Sequence, residues 1–440
     1  MTGQRAANDD DSVDPAFPRL AVAYDMTSSS PLDLVELIGG QCQIIWIVEA
    51  ADPGLGKWAR LLPRLGQVVD RAGRSPTAVA ELLRDMHVEG AIAFTDTQLR
   101  LAATISQALG LPGNPPDAID ALLDKVTQRN KLAEGGVQVP RFVRLAGGAG
   151  RDEVTELAHS VGFPMVVKPA HGSSSRDVFP ISDREHLKSC LDTIMGGAPA
   201  LSEDYLAEAW LIDSESRAMP FLGSYVSVEA MAQEGVINPL AITGKFPTAA
   251  PCRETGNFMP HHLAPDEAAR VRALSIKAAE ALGVRSGALH IEIKLTPVGP
   301  QVIEVNGRVG GGGIDQLYAS THGQSLTHIA TQIALGQAVE WAAGSDPGGG
   351  PIEYDYYVQP PVGASRFAGI ENLDAVLALA GVKGARVNLT IGDTVDWREG
   401  SQGYVLSVRG TVPNHAALAD VGPRIMNAVV LTFDQGSGAA

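Results

Sequence analysis

A chain of 440 residues with a formal charge of −16 and 45% hydrophobic residues has room for several cores and is too acidic overall to hold nucleic acid or an anionic membrane by bulk charge. Cys42, Cys190 and Cys252 are odd in number and widely separated, which excludes a disulfide framework and a cysteine zinc site. No apolar run approaches the roughly 18 residues of a membrane span, so a cytoplasmic multidomain globular protein is expected.

Residues 1–18 are polar and acidic where a signal peptide would be basic and then apolar, and read as a disordered leader. Over 19–116 the runs LAVAYDM, QIIWIVEA and GAIAFTD alternate with helical stretches at Thr77–Met86 and Gln98–Leu109, predicting an open, mostly parallel, Rossmann-like α/β layer. Thr27–Ser30 stands where a Gly-x-Gly-x-x-Gly fingerprint would follow the first strand, which excludes a dehydrogenase. The segment 117–345 opens with a helix predicted from Asp117 to Glu134 and ended by Gly135-Gly136. A small α+β unit over about 139–206 follows, with strands near Val139–Leu145, Pro164–Lys168 and Asp177–Ile181, a helix at Arg151–Val161 and the loop HGSSSRD. Then come the strands YVSVEAMA and VINPLAITG, a helix at Asp266–Leu282 and the hairpin ALHIEIKL-TPVGP-QVIEVNGR. AAGSDPGGGPIEY reads as a linker, and 346–440 as a further α+β domain whose QGSGAA end frays.

The hairpin carries the strongest chemical signal. Alternation places His290, Glu292 and Lys294 on one face and Leu289, Ile291, Ile293 and Leu295 on the other. Symmetric pairing about Val298 sets Glu292 against Glu304, where like charges repel unless a cation lies between them. Glu292, Glu304 and the amide of Asn306 form a hard oxygen set suited to Mg²⁺ shared with phosphate oxygens and water. Arg308 adds a fixed cation, and Gly310–Gly313 let backbone N–H groups approach an anion. The competing reading is a solvated sheet face. Lys168 ends the strand FPMVVK ahead of the loop carrying Ser173, Ser174 and Ser175, a position from which an ammonium can reach a nucleotide phosphate; a plain connector is the alternative. His261 and His262 adjoin the block CRETGNFMP, and as strand neighbours they would point to opposite faces. Cys252 lacks a partner that would make it a nucleophile.

As an ordered set these features resemble the ATP-grasp superfamily from about Leu122 to Gly313. The resemblance implies an ATP-grasp fold of α/β and α+β parts: an N-terminal Rossmann-like layer, a small lid subdomain and a C-terminal α+β domain. It implies that Lys125 and Lys168 bind ATP, with Ser173, Ser174 and Ser175 in the flexible phosphate loop. YLAEAWL matches the adenine hinge, with Glu208 as its acidic residue and backbone groups from Ala209 and Leu211, and Glu229 is a candidate ribose contact. Glu292, Glu304 and Asn306 match the metal ligands of two Mg²⁺ ions, for which Mn²⁺ can substitute, and Arg308 and Lys168 the catalytic cations. EVNGRVGGGGID, CRETGNFMP and the tail from YYVQPPVGASRFAGIENLDAVLALAGV look most like the L-amino acid ligases and related carboxylate–amine ligases. This adds Glu254, Asn257, Gly310 and Gly311 to Arg308 as substrate residues, with Asn257 standing where many relatives carry histidine. The implied reaction is ADP-forming amide synthesis through an acyl phosphate. Expected partners are a small carboxylate and an amine, both amino acids, with room left for a homodimer. An ATP-grasp carboxylase or purine-pathway ligase, and a non-catalytic nucleotide-binding regulator, remain the alternatives.

Overall fold

The structure is a computed structural model that describes residues 17–26, 29–214, 219, 221–339 and 350–435. Most of the leader and of the linker, part of Thr27–Ser30 and nearly all of the QGSGAA end lie outside the described residues.

Four short strands, β1 (Arg19–Ala23), β2 (Gln43–Val48), β3 (Gln67–Asp70) and β4 (Gly90–Ala93), form a wholly parallel sheet in the order β3-β2-β1-β4. Alternate residues of β1 and β2 feed two separate cores, Leu20, Val22 and Trp46 on one side and Ala21, Ile45 and Ile47 on the other. Burial on both faces explains why these strands read as unbroken apolar runs. Strand order reverses between β1 and β4, so their C-terminal ends open a crevice at the entrance to the Asp96–Leu109 helix.

The predicted helix from Asp117 to Glu134 is two helices, Pro116–Leu123 and Lys125–Glu134. Asp124 between them is extended (φ −113°, ψ 114°), and its carboxylate caps the second helix by accepting from Thr127 N–H. The break places Lys125 in the first turn of a helix, its backbone N–H bonded to Ala170 O of the lid (2.9 Å). A second four-stranded sheet, in the segment expected as a lid, comprises β5 (Phe142–Leu145), β6 (Met165–Pro169), β7 (Phe179–Ile181) and β8 (Tyr205–Ala209) in the order β5-β8-β6-β7, backed by helices Arg151–Val161 and Arg184–Met195.

The remaining strands are β9 (Tyr225–Gln233), β10 (Val236–Lys245), β11 (Gly256–Met259), β12 (Gly287–Thr296), β13 (Gly299–Asn306), β14 (Ile352–Val358), β15 (Ala364–Glu371), β16 (Val382–Val387), β17 (Leu406–Val412) and β18 (Val430–Gln435). Eight of them make one antiparallel sheet, β13-β12-β9-β10-β11-β14-β17-β16, so strands from beyond residue 350 extend the sheet that holds the hairpin. β15 and β18 pair separately. One face of the sheet packs Val226, Val228, Leu289, Ile291, Ile293, Val302 and Val305 against Val271, Ala278 and Ala279 of the Pro265–Ala281 helix. Each such side chain contributes roughly 1.5–3 kcal/mol by leaving water. The opposite face carries the polar residues.

Candidate active site

β12 and β13 bring Glu292 directly opposite Glu304 and His290 opposite Asn306. The expected pairing is present, but a different turn produces it. Thr296 pairs with Gly299, a tighter turn than one centred on Val298, and a bulge beyond Glu292 leaves Ile303 unpaired and restores the register. The bulge frees the carbonyl of Ile303, which accepts from Arg129 Nη2 (2.5 Å). Asn306 Nδ2 donates to His290 O (3.3 Å), so its side-chain oxygen is the atom left to accompany the two carboxylates.

Antiparallel register continues this polar face inward. Glu229 lies opposite His290 and Ser227 opposite both Glu292 and Thr243. Glu229, expected at a ribose, is instead 1% exposed, and its carboxylate accepts from Ser227 Oγ (2.7 Å), Thr243 Oγ1 (3.0 Å) and His290 Nδ1 (2.9 Å). Burial opposes a charged imidazole at His290, but the Glu229 carboxylate outweighs it and lifts the ring to about 9. The other ring nitrogen lies 3.5 Å from Glu292 Oε1. Burial would raise the Glu292 carboxyl, yet the His290 hydrogen bond and charge, with Lys245 and Arg308, hold it at about 2. Glu292 is therefore ionised at neutral pH.

Lys125 and Lys168 meet different acids. Lys125 Nζ bonds Glu304 Oε1 (2.9 Å) and Gly172 O (2.6 Å), joining the Gly172–Asp177 loop to the hairpin. Lys168 Nζ turns to Glu208 Oε1 (2.6 Å), whose carboxylate also takes Arg129 through Nε (2.8 Å) and Nη2 (3.2 Å). Burial works to raise Glu208, but Arg129 and Lys168 outweigh it and hold it at about 2. The Glu208 side chain is thus committed to two cations. Beside it, Ala209 N–H donates to Arg141 O (2.8 Å), which leaves the expected hinge fewer free backbone donors. In the loop, Ser174, Ser175 and Asp177 have φ of 58°, 58° and 50°, a left-handed region uncommon for these residues.

That loop rests on the Trp397–Gly403 segment. Ser401 N–H donates to Ser174 O (2.7 Å), Gln402 Nε2 to Ser174 Oγ (3.1 Å), and Arg398 Nε to Asp177 Oδ1 (2.7 Å). A Cβ on Gly400 would lie 2.1 Å from Ser174 O, which requires glycine there. Ser401 Oγ also accepts from Glu254 N–H (2.9 Å). The Glu254 carboxylate accepts from Lys245 Nζ (3.1 Å) and Tyr225 OH (3.4 Å). Asn257 Nδ2 donates to Gly312 O (2.8 Å), and Tyr357 OH bonds the same carbonyl. Asn257 thereby anchors the glycine run. Asn257 Oδ1 and, across the strand pair, Asp355 Oδ1 are buried without a hydrogen-bond partner among the described residues, which makes this end of the face rich in acceptors. Gly310 is pressed against His290 and Glu229, where a Cβ would come within 2.7 Å of Nδ1, whereas Gly311 is exposed with open space beside it.

Arg308 Nε donates to Asp96 Oδ2 (3.0 Å) and Nη1 to Val309 O (3.2 Å). His261 and His262 lie beyond the end of β11 rather than within a strand, so alternation does not govern them; His261 Nδ1 accepts from Leu263 N–H, and His262 packs near Phe258 and His415. Burial pushes the Cys252 thiol up to about 11, which agrees with a thiol that is no nucleophile. Arg129, Lys245, Asp96 and the Trp397–Gly403 segment escaped the sequence reading. His290 was legible on the polar face, but its bond to Glu229 needed the strand order.

Among the described residues no three His, Cys, Asp or Glu side chains form a ready metal cluster. Two facing carboxylates with one amide oxygen still match an ion that takes its other ligands from phosphate and water. No helix among the described residues is long and apolar enough to cross a membrane.

Residues 161–316 match the profile of the ATP-grasp domain. An uncharacterized protein of Sinorhizobium fredii is 28% identical over 59% of this chain and 51% of its own length. Carnosine synthase 1 of Mus musculus is 28% identical over 59% of this chain and 32% of its own length. The matched stretch thus spans from about a third to about half of these relatives. The crystal structure of an L-amino acid ligase from Bacillus licheniformis superposes with a TM-score of 0.73 at 19% identity, covering 95% of this chain and 99% of that one. Residues 161–316 thus carry an ATP-grasp domain, and the chain shares the fold of that ligase structure.

Proposed function

We propose that this chain is an ATP-dependent carboxylate–amine ligase that joins amino acid substrates through an acyl phosphate and releases ADP and phosphate. The supporting observation is the convergence, on one face of one sheet, of the facing pair Glu292 and Glu304, Arg308, the glycine run and the Glu254–Asn257 block, with the phosphate loop held over them.

Glu292, Glu304 and Asn306 would hold Mg²⁺, or Mn²⁺ in its place, which supplies charge neutralisation at the ATP phosphates. Lys125 ties the phosphate loop to that end of the site, and Lys168 stands one strand away on Glu208, ready to exchange its partner for a phosphate oxygen. The substrate carboxylate attacks the γ-phosphorus, the bond to ADP breaks, and an acyl phosphate forms. Arg308 and the exposed Gly311 face the acyl oxygen, where each well-placed donor is worth roughly 3 kcal/mol in the transition state. The amine then attacks the carbonyl carbon, phosphate leaves, and the proton lost by the amine passes to an acceptor at the Glu254, Asn257 and Asp355 end. The Gly172–Asp177 loop, docked on Trp397–Gly403, screens the acyl phosphate from water.

A phosphate-release screen of amino acids singly and in pairs, with mass spectrometry of products, tests the reading. ADP, phosphate and an amide are expected in equal amounts. Stoichiometric AMP and pyrophosphate, or phosphate release driven by bicarbonate with no amine, would overturn it.

A further inference from the structure

Arg308 follows the strand β13, yet the group that holds it comes from the N-terminal layer. Asp96 begins the helix that follows β4, at the crevice where strand order reverses, and its Oδ2 takes Arg308 Nε at 3.0 Å across 212 residues of sequence. Both side chains are largely enclosed, 14% and 19% exposed. Asp96 Oδ1 is buried with no hydrogen-bond partner among the described residues, so the guanidinium is the partner that its charge serves.

The corner carrying Asp96 is itself clamped. Asp25, just beyond β1, accepts at Oδ2 from Gln98 Nε2 (2.9 Å), Thr95 Oγ1 (3.4 Å) and Thr97 Oγ1. Residues on both sides of Asp96 are therefore tied to the neighbouring strand, which fixes where its carboxylate stands. Arg308, two residues beyond Asn306 at the end of β13, also feels Glu304 and Glu292, which with Asp96 favour its charged form against the cost of burial. An arginine between one carboxylate and a pair of carboxylates has two resting places. Falling onto Glu304 and Glu292 would occupy the oxygens meant for the metal and withdraw the guanidinium from the acyl group.

We propose that Asp96 is a positioning residue that holds Arg308 off the Glu292–Glu304 pair and aims it at the reacting carboxylate, so that the acyl end of the site is completed by the N-terminal layer. This rests on the ligase reading above.

The test compares the wild-type chain with Asp96→Asn and Asp96→Glu, measuring ADP formation against carboxylate, ATP and Mg²⁺ concentration, ATP affinity by calorimetry, and thermal unfolding. Asp96→Asn is expected to lose at least tenfold in kcat/KM for the carboxylate and to need more Mg²⁺ for half-maximal rate, with ATP affinity unchanged within twofold. Asp96→Glu, which keeps the charge on a longer arm, should recover part of the loss. Thr97→Val, which loosens the clamp and leaves Asp96 in place, should move the same parameters less, and it serves if Asp96→Asn does not fold. Wild-type kinetics in Asp96→Asn overturn the proposal, as does a loss in which every parameter falls in step with the melting temperature. A wild-type chain that forms no ADP with any carboxylate–amine pair refutes the ligase reading itself, before any variant is compared.

Discussion

Two lysine–glutamate pairs span the lid side of the site, and they are built for opposite ends. Glu208 is enclosed, with its side chain 5% exposed, and is held by Arg129 as well as Lys168. Glu304 is 16% exposed, pairs with Lys125, and faces a second carboxylate. The first gathers two cations on one enclosed acid; the second sets two acids face to face at a more exposed position. Where an acid is enclosed by its cations, its removal strands them in a low-dielectric interior. Where two carboxylates face each other, a cation between them relieves the repulsion.

The largest expected effect follows from that contrast. Glu208→Ala leaves Arg129 and Lys168 buried without their anion and should cost about 3–5 kcal/mol of stability, read by thermal or urea unfolding. A loss below about 1 kcal/mol would mean that the pair is solvated and the contrast false.

Glu304→Gln should do the reverse. Its fold should survive with an unchanged or slightly higher melting temperature in chelator, because the Glu292–Glu304 repulsion is gone. Turnover at saturating Mg²⁺ should fall by more than about 100-fold, in line with the several kcal/mol supplied by a correctly held metal. Normal turnover would remove Glu304 from the metal set.

Arg308→Lys tests the cation beyond the pair. A planar fork is replaced by a point charge, so the rate and the apparent carboxylate affinity should fall by roughly tenfold or more, with ATP binding by calorimetry little changed. If ATP affinity collapses while the rate at saturating ATP survives, Arg308 is a phosphate anchor and the acyl end is misplaced.

A further effect is acid stability. Glu208 sits at about 2 in the folded chain against an ordinary 4.5, so the stability it adds is complete above 4.5 and is lost as pH falls toward 2. Between those values Glu208→Gln should show a flatter fall in unfolding free energy than the wild type. Parallel slopes would show that Glu208 does not carry the shift.

The sequence by itself determined the elements and the identity of the chemical groups, because both are local properties. Period-two alternation in ALHIEIKL put Leu289, Ile291 and Ile293 in the core and His290 and Glu292 opposite, and the structure agrees. The short apolar runs of the N-terminal layer, alternating with helical stretches, likewise announced a mostly parallel sheet, and the four strands are wholly parallel. Local pattern misjudged the break at Asp124, where one capping carboxylate ends the run of helical propensity, and it obtained the Glu292–Glu304 pairing through a turn that the bulge at Ile303 replaces. Which cation each acid receives belongs to tertiary structure alone. Lys168 meets Glu208 on the neighbouring strand, Arg308 meets Asp96 over 212 residues, and the Gly172–Asp177 loop meets Ser401 from a segment beyond the linker. No periodicity encodes these contacts, because an ion pair depends on where two backbones cross in space, and that is decided by sheet order and packing after the local elements have formed.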